Sequence, residues 1–580
     1  MRALDLKPFM AWLKPRLPRR GPWLLDLVLL VGLVLWAWRF FAPLEQVVNI
    51  ELFDETGDIW AALRYPVWAY PPEYGPLYRL WYRLLALVQP DPLRLYYLSY
   101  RWAAILAPLA VYWSLRRARV TPGMAFWAAA LLLVSQGHSR LWPRVSVFWL
   151  VVYFVALGVV WPRQARGPWW RVLLRYAWAL WVAAYVRPET ALVAMALAGL
   201  ALLLWAWRRQ FAAWGREQWA LLGSGLFLLL LWGNPYQPDR LLLAFKQHFV
   251  VVRAALGDPI DNPWFATDKI GEYFTRTDSL PAMFLERPAL LGQHIAYNAA
   301  RLQEKLFKKV QVVAPPGHPL FTRHRIGPRK ALYLLLALGA LPGVYDWLRA
   351  FGSGQWRSKL ALWFRLTLPA WVTLLPVTAG ILLIVPHEHY LYLLWGAFLA
   401  LYGLTFGRCV HVPETGRASL VFTLALVGVA AYLWHGHNVQ TWVRRLKDPN
   451  RTVEQVARFV RALNLPEQEP IYVLGVEGQW EVYFGPQFVS LDKAYRRQPT
   501  DLATLIRQKP VGLILLTAPT PDQLFCQTSP QARQVCQDLL QRPEAWGFRA
   551  FSLPAPPDAP SALRVLVREN LLQPGSFVSP

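Results

Sequence analysis

Eleven long apolar runs govern what this chain can fold into: 23–42, 96–115, 123–137, 145–162, 172–186, 188–207, 218–233, 331–348, 366–386, 390–407 and 418–436. A helix crosses the hydrocarbon of a bilayer in about 17–25 residues. Backbone in that medium must satisfy its own hydrogen bonds, which restricts such runs to helices. The pattern predicts an α-helical polytopic membrane protein of about eleven transmembrane helices. The first run is long, ends in Trp38-Arg39-Phe40-Phe41 and lacks a small-residue cleavage site, so it reads as a span rather than a removed signal.

Short connections rich in Lys and Arg stay on the cytoplasmic side. With the N-terminus inside, the inner segments 1–22, 116–122, 163–175, 208–217, 349–365 and 408–417 carry 22 basic residues. The short outer loops then carry only Arg140, Arg144 and Arg187. The inverted topology would reverse that contrast.

Composition agrees with this picture. Hydrophobic residues make up 55% of the 580, charged residues only 17%, and there are 32 Trp, a residue favoured at membrane interfaces. The net charge of +26 raises the question of nucleic acid. Its basic residues cluster between apolar runs rather than along one polar domain, which is the distribution of membrane loops and excludes nucleic acid as a partner. Three cysteines are too few for a disulfide scaffold. Cys409 falls in an inner loop, whereas Cys526 and Cys536 fall in an outer domain where a bridge and two free thiols are both compatible with the sequence.

Three larger segments lie outside in this topology: 43–95, 234–330 and 437–580. Residues 1–436 thus form the transmembrane domain, with outer loops 43–95 and 234–330, and 437–580 an extracytoplasmic domain. The middle segment is long for a structureless loop, and Ala299 to Val310 reads as an amphipathic helix at the interface. In the tail, a helical pattern at Thr452–Leu463 precedes strand-like runs at Pro470–Leu474 and Val511–Leu516. That alternation predicts a small α/β domain. Pro554–Pro560 reads as a surface loop.

The first outer loop opens with Glu51-Leu52-Phe53-Asp54-Glu55-Thr56-Gly57-Asp58. Adjacent acids at a membrane surface can raise one another's pKa, leaving a carboxylate able to take a proton or bind a divalent cation. The plainer alternative is a solvated helix N-terminus. Tyr65-Pro66 and Tyr70-Pro71-Pro72-Glu73-Tyr74-Gly75-Pro76-Leu77-Tyr78 follow, and Leu77–Leu87 then reads as an aromatic amphipathic helix lying on the membrane.

An Asp-Glu pair after the first span, a Pro-Pro turn and an aromatic amphipathic helix together resemble the GT-C class of membrane glycosyltransferases. The nearest pattern is that of family 39 and its bacterial relatives, which include protein O-mannosyltransferases and aminoarabinose transferases. Val186-Arg187-Pro188-Glu189, His387-Glu388-His389-Tyr390, and Pro470–Gly475 followed by Val482-Tyr483-Phe484-Gly485 are further points of similarity. The resemblance covers the spans and parts of the tail. It implies a sugar donor linked to a polyprenyl phosphate, an unidentified protein, lipid or glycan acceptor, and a place in the bacterial inner membrane among its lipids. It further implies Asp54 as the base that deprotonates the acceptor and Glu55 as its partner.

The outer arginines then gain a role. Arg140, Arg144 and Arg187 stand against the positive-inside bias, and guanidinium suits phosphate oxygens, although snorkelling to the interface is the plain alternative. His387 and His389 face the same side, where similar transferases more usually carry Lys or Arg for the lipid phosphate. Asp58, Tyr74 and Glu388 are candidate acceptor or loop contacts, and Glu189 a simple ion-pair partner for Arg187. The sequence leaves the metal requirement open; Asp54 and Glu55 are where a divalent cation would sit.

Two rival classes predict different features. A transporter or lipid flippase would show internal repeats and charges near the bilayer midplane, and here the acids and exceptional arginines fall at one face. A noncatalytic assembly subunit would tolerate loss of Asp54. P-loop and dinucleotide fingerprints are absent, which disfavours a nucleotide-sugar donor.

Overall fold

The computed structural model describes residues 22–42, 44–47, 50, 54–70, 75–134, 145–161, 168–208, 214–236, 238–260, 263, 266–309, 327–384, 388–407, 417–434, 452–466, 470–475, 480–491, 495, 501–509, 511–518, 521, 523–553 and 562–572. Two compact units make up the chain. One comprises Met1–Ala42, Pro66–Tyr78 and Tyr100–Trp442; the other comprises Pro43–Tyr65, Arg79–Ser99 and Val443–Pro580.

The helices in chain order begin with α1 (Pro22–Phe41), α2 (Leu44–Val47), α3 (Asp54–Arg64), α4 (Pro76–Ala86) and α5 (Pro92–Arg117). Then come α6 (Pro122–Val134), α7 (Val145–Val160), α8 (Trp169–Ala184), α9 (Ala191–Trp207), α10 (Arg216–Trp232) and α11 (Pro238–Ala255). After α12 (Leu280–Glu286) and α13 (Pro288–Lys309) follow α14 (Pro328–Gly352), α15 (Trp356–Leu383), α16 (Glu388–Gly407) and α17 (Arg417–Trp434). The tail adds α18 (Thr452–Ala462), α19 (Leu502–Gln508) and α20 (Pro530–Gln541). Within the described residues, each of the eleven apolar runs falls on one of these helices.

Burial in the first unit separates two kinds of apolar helix. Every residue of α6 is buried, as expected of a helix that is apolar all round and sits inside a bundle. By contrast, Leu24–Phe41, Pro188–Trp207 and Arg329–Gly352 are long and apolar enough to cross a membrane, yet only 28–33% of each is buried. In α9 the buried stripe is Ala191, Ala194, Leu197 and Ala201, while Leu192, Leu200, Leu203 and Trp207 face outward. Apolar surface on that scale is stable against lipid rather than water. Small residues let the helices close up: a Cβ on Gly343 of α14 would lie 2.4 Å from the Phe406 backbone of α16.

Several charged groups on these helices pair with one another, which lowers their cost in a medium of low polarity. Asp26 of α1 accepts from Arg116 of α5 at 2.7 Å and from the Tyr112 hydroxyl. Arg175 of α8 forks onto Glu217 of α10 at 2.8 and 3.0 Å. Asp346 of α14 is buried against Lys359 of α15, whose ammonium lies 4.5 Å from the centre of the Trp347 ring.

The described part of the segment after α10 is largely helical. α11, a short 3₁₀ helix at Thr267–Glu272, α12 and α13 enclose a core of Phe245, Phe249, Ile270, Phe274, Met283 and Leu291. The helix expected at Ala299–Val310 is the rear half of α13, which begins eleven residues earlier at Pro288. Its front half carries the buried polar residues His294 and Asn298, which break the simple apolar periodicity. Hydrogen bonds from Arg253 and Tyr273 hold Asp258 below the usual carboxylate range.

In the second unit the tail forms a five-stranded sheet: β1 (Ile471–Leu474), β2 (Phe488–Ser490), β3 (Val511–Ala518), β4 (Phe548–Ser552) and β5 (Ala562–Arg568), in the order β2-β1-β3-β5-β4. β2, β1 and β3 run parallel, with α19 between β2 and β3; β5 returns antiparallel to both β3 and β4. Residues 511–516 are buried on both faces, which explains the unbroken apolar run at the sheet centre. Cys526 and Cys536 are buried and joined as a disulfide, their Cα atoms 5.9 Å apart.

Candidate active site

α3 carries the acids singled out in the sequence. Its first turn reads Asp54-Glu55-Thr56-Gly57, and carboxylates there complement the positive end of the helix dipole. The helix has only 11 residues and a glycine in its first turn, so isolated in water it would be marginal, and tertiary contacts must hold it. The buried stripe is Glu55, Thr56, Ile59 and Ala62, the spacing of one helix face. Two polar residues thus head an otherwise apolar stripe.

Glu55 is 4% exposed and accepts a hydrogen bond from the hydroxyl of Tyr82, a fully buried residue of α4. Tyr96 and Tyr97, also buried, stand on α5, and the charge of Glu55 reaches the phenol of Tyr96 together with Tyr82, Tyr97 and Tyr483. Thr56 shares a 3.3 Å hydrogen bond with the hydroxyl of Tyr483. Burial pushes the Tyr483 phenol up and Glu55 adds to the effect, against the Thr56 hydrogen bond, so Tyr483 stays protonated near neutrality. The site is therefore a buried carboxylate in a ring of phenols, a low-polarity setting in which hydrogen bonds are strong and well directed.

Further contacts fix the rest of α3. Asp58 pairs with Arg79 at 3.2 Å, Arg83 donates to the carbonyls of Ala62 and Leu63 at the C-terminal end, and Arg64 donates to the Pro486 carbonyl at 3.0 Å. Arg461 of α18 donates to the Tyr483 carbonyl at 2.6 Å and to Asp91 at 2.8 Å. Residues between Asp54 and Asp91 and residues of the tail thus form one polar network within the second unit.

In the first unit the focus is Arg187. Its guanidinium is largely buried, donates to Ser146 at 2.5 Å, and forks onto Glu189 at 2.9 and 3.4 Å. The simple ion pair expected between Arg187 and Glu189 is present. Arg240 lies near enough to act on the Glu189 charge. Next to this corner sits the turn before α4: Gly75 has φ +66°, a Cβ there would lie 2.5 Å from the Val186 carbonyl oxygen, and Leu77 N–H donates to the Tyr185 carbonyl at 3.0 Å. Trp232 ties down the preceding segment through the Val67 carbonyl at 2.8 Å.

Of the other candidates, Arg140, Arg144, Tyr74 and His387 lie outside the described residues. Asp54, Glu388 and His389 are placed by backbone only, in the first turns of α3 and α16. Glu55 and Asp58 share a helix but have separate partners. Among the described residues no three His, Cys, Asp or Glu side chains converge as metal ligands would. Sequence reasoning missed the phenols. Tyr82 follows Tyr78 by one helical turn, which marks a buried face of α4, and Tyr483 falls inside a motif singled out without a role.

No protein-family model matches the chain, and no curated protein does either. Among solved structures it is similar to the crystal structure of ArnT from Cupriavidus metallidurans bound to undecaprenyl phosphate, at 13% identity and a TM-score of 0.38. The apo structure of the same protein is similar at 12% identity and 0.39; in both cases 94% of this chain and 99% of the other are covered. These two structures correspond to this chain over nearly its whole length, at low identity and loose superposition.

Proposed function

We propose that this chain is a membrane glycosyltransferase that moves a sugar from a polyprenyl-phosphate-linked donor to an acceptor on the extracytoplasmic face. The observation that carries it is the carboxylate helix: adjacent Asp54 and Glu55 in one first turn, with Glu55 buried and hydrogen-bonded rather than solvated. A solvated dipole-complementing acid has no need of such an enclosure. The apolar outward faces of α1, α9 and α14 support a donor that reaches the protein from lipid.

In this reading Asp54 takes the proton from an acceptor hydroxyl or amine as its heteroatom attacks the anomeric carbon. The bond from that carbon to the phosphate oxygen breaks, and the polyprenyl phosphate leaves with the electron pair. Glu55, held by the Tyr82 hydroxyl, is the partner of the base on the same helix turn. A positioned base contributes about 10²–10⁴-fold. Arg187, held by Ser146 and Glu189 with Arg240 near enough to act on Glu189, is assigned to the leaving phosphate. Arg140, Arg144, His387 and His389 are assigned to the same phosphate, Asp58, Tyr74 and Glu388 to loop or acceptor contacts. If a divalent cation serves the leaving phosphate, Asp54 and Glu55 are its ligands, and chelation followed by Mg²⁺ addition would abolish and restore turnover.

The test is transfer by the full chain in detergent, using undecaprenyl-phosphate-linked hexoses and aminopentoses as donors and release of undecaprenyl phosphate as readout. Asp54→Asn should lower release at least about 100-fold while membrane insertion is unchanged. Full activity in that variant sinks the assignment of Asp54 as base.

A further inference from the structure

The tail's part in the site is a separate question, and the second unit supplies an answer. α3 is held at both ends by residues more than 400 positions away: Thr56 by the Tyr483 hydroxyl, Arg64 by the Pro486 carbonyl. Tyr483 is in turn fixed by the 3₁₀ turn Trp480–Tyr483 and by Arg461, whose guanidinium takes the Tyr483 carbonyl and Asp91 together. Neither Thr56 nor Tyr483 is accessible; both are fully buried, so their hydroxyls serve each other rather than a ligand in solution. A purely packing role would be met by Val and Phe at these two positions. The hydroxyl pair is what a fixed rotation of the helix requires, because it locks the residue directly after Glu55.

We propose that Tyr483 is a positioning residue for the carboxylate helix, acting through Thr56 to set the first turn of α3 for the reaction. The proposal rests on the reading in which Asp54 is the base, and it gives the 3₁₀ turn of the tail a task in that reaction. Tyr483 touches no reacting atom; it determines where the backbone of Asp54 and Glu55 lies.

The experiment uses the full chain in detergent and two readouts. Hydrogen–deuterium exchange across residues 54–64 reads the helix itself, and turnover of the undecaprenyl-phosphate-linked donors reads catalysis. Tyr483→Phe and Thr56→Val should each speed exchange in the first turns of α3 about fivefold, the worth of one buried hydrogen bond. Exchange in β1 and β3 should stay as in the native chain. The double variant should be no worse than the more affected single one, kcat should fall several-fold with KM for the donor held within twofold, and Thr56→Ser should restore both readouts. Native exchange in α3 for both single variants, or effects that simply add, overturns the proposal. If Tyr483→Phe fails to fold, the Thr56→Val and Thr56→Ser pair decides it alone. Retained turnover in Asp54→Asn would remove the catalytic reading, whereas α3 exchange judges the Tyr483 link whatever the reaction proves to be.

Discussion

At the scale of single residues, the backbone is as informative as the charged groups. Gly75 occupies a left-handed conformation, and a Cβ on it would lie 2.5 Å from the carbonyl oxygen of Val186, one residue before Arg187. Gly75→Ala adds a methyl where no space exists and strains φ as well, so we expect a loss of about 1–3 kcal/mol in stability. A thermal midpoint unchanged from the native chain would show that the turn can shift freely. The acids were visible in the sequence because they are adjacent and follow a span. The phenols around Glu55 were not, since a tyrosine on an amphipathic helix looks the same whether its hydroxyl meets a carboxylate or a headgroup. Likewise His294 and Asn298 are silent in the sequence: the His294 ring meets the Leu383 carbonyl at 2.9 Å, and burial lowers its pKa so that it stays neutral.

At the scale of elements, legibility followed the length of the pattern. The eleven apolar runs each proved helical, and α18, β1 and β3 fall where periodicity puts them, because each is a continuous local signal. α13 was seen only in its rear half, and β2, β4 and β5 not at all; β2 has three residues, too few for alternation to register, and the other two are defined by pairing with distant strands. The disulfide illustrates the same limit, since spacing alone left bridge and free thiols equally compatible. It closes a loop of ten residues between the 3₁₀ turn Leu524–Gln527 and α20. Chain-entropy reasoning puts its worth at about 3 kcal/mol. Reduction, or Cys526→Ser with Cys536→Ser, should therefore lower the midpoint of the tail's unfolding by several degrees in the full chain. An identical melting curve with and without reductant would show that the bridge adds nothing.

At the scale of the whole molecule, the same cysteines report the orientation proposed from the basic loops. A tail on the oxidising side keeps Cys526 and Cys536 joined, leaving only Cys409 open to a maleimide under denaturing, non-reducing conditions. One label per chain is expected, rising to three after reduction; three labels without reductant would reverse the topology. The way the second unit is composed has a consequence for synthesis. Thr56 and its partner Tyr483 are 427 positions apart, so the acid helix is made early and its anchor late. At ribosomal speeds of about 5–20 residues per second, that gap lasts roughly 20–90 s. If the proposed function holds, a nascent chain already threaded into the bilayer would meet its lipid-linked donor throughout that interval with the acid helix unanchored. On the proposed function, competence waits for Tyr483 and Pro486, which makes the tail a checkpoint: a ribosome that stops before them leaves an inserted but idle protein.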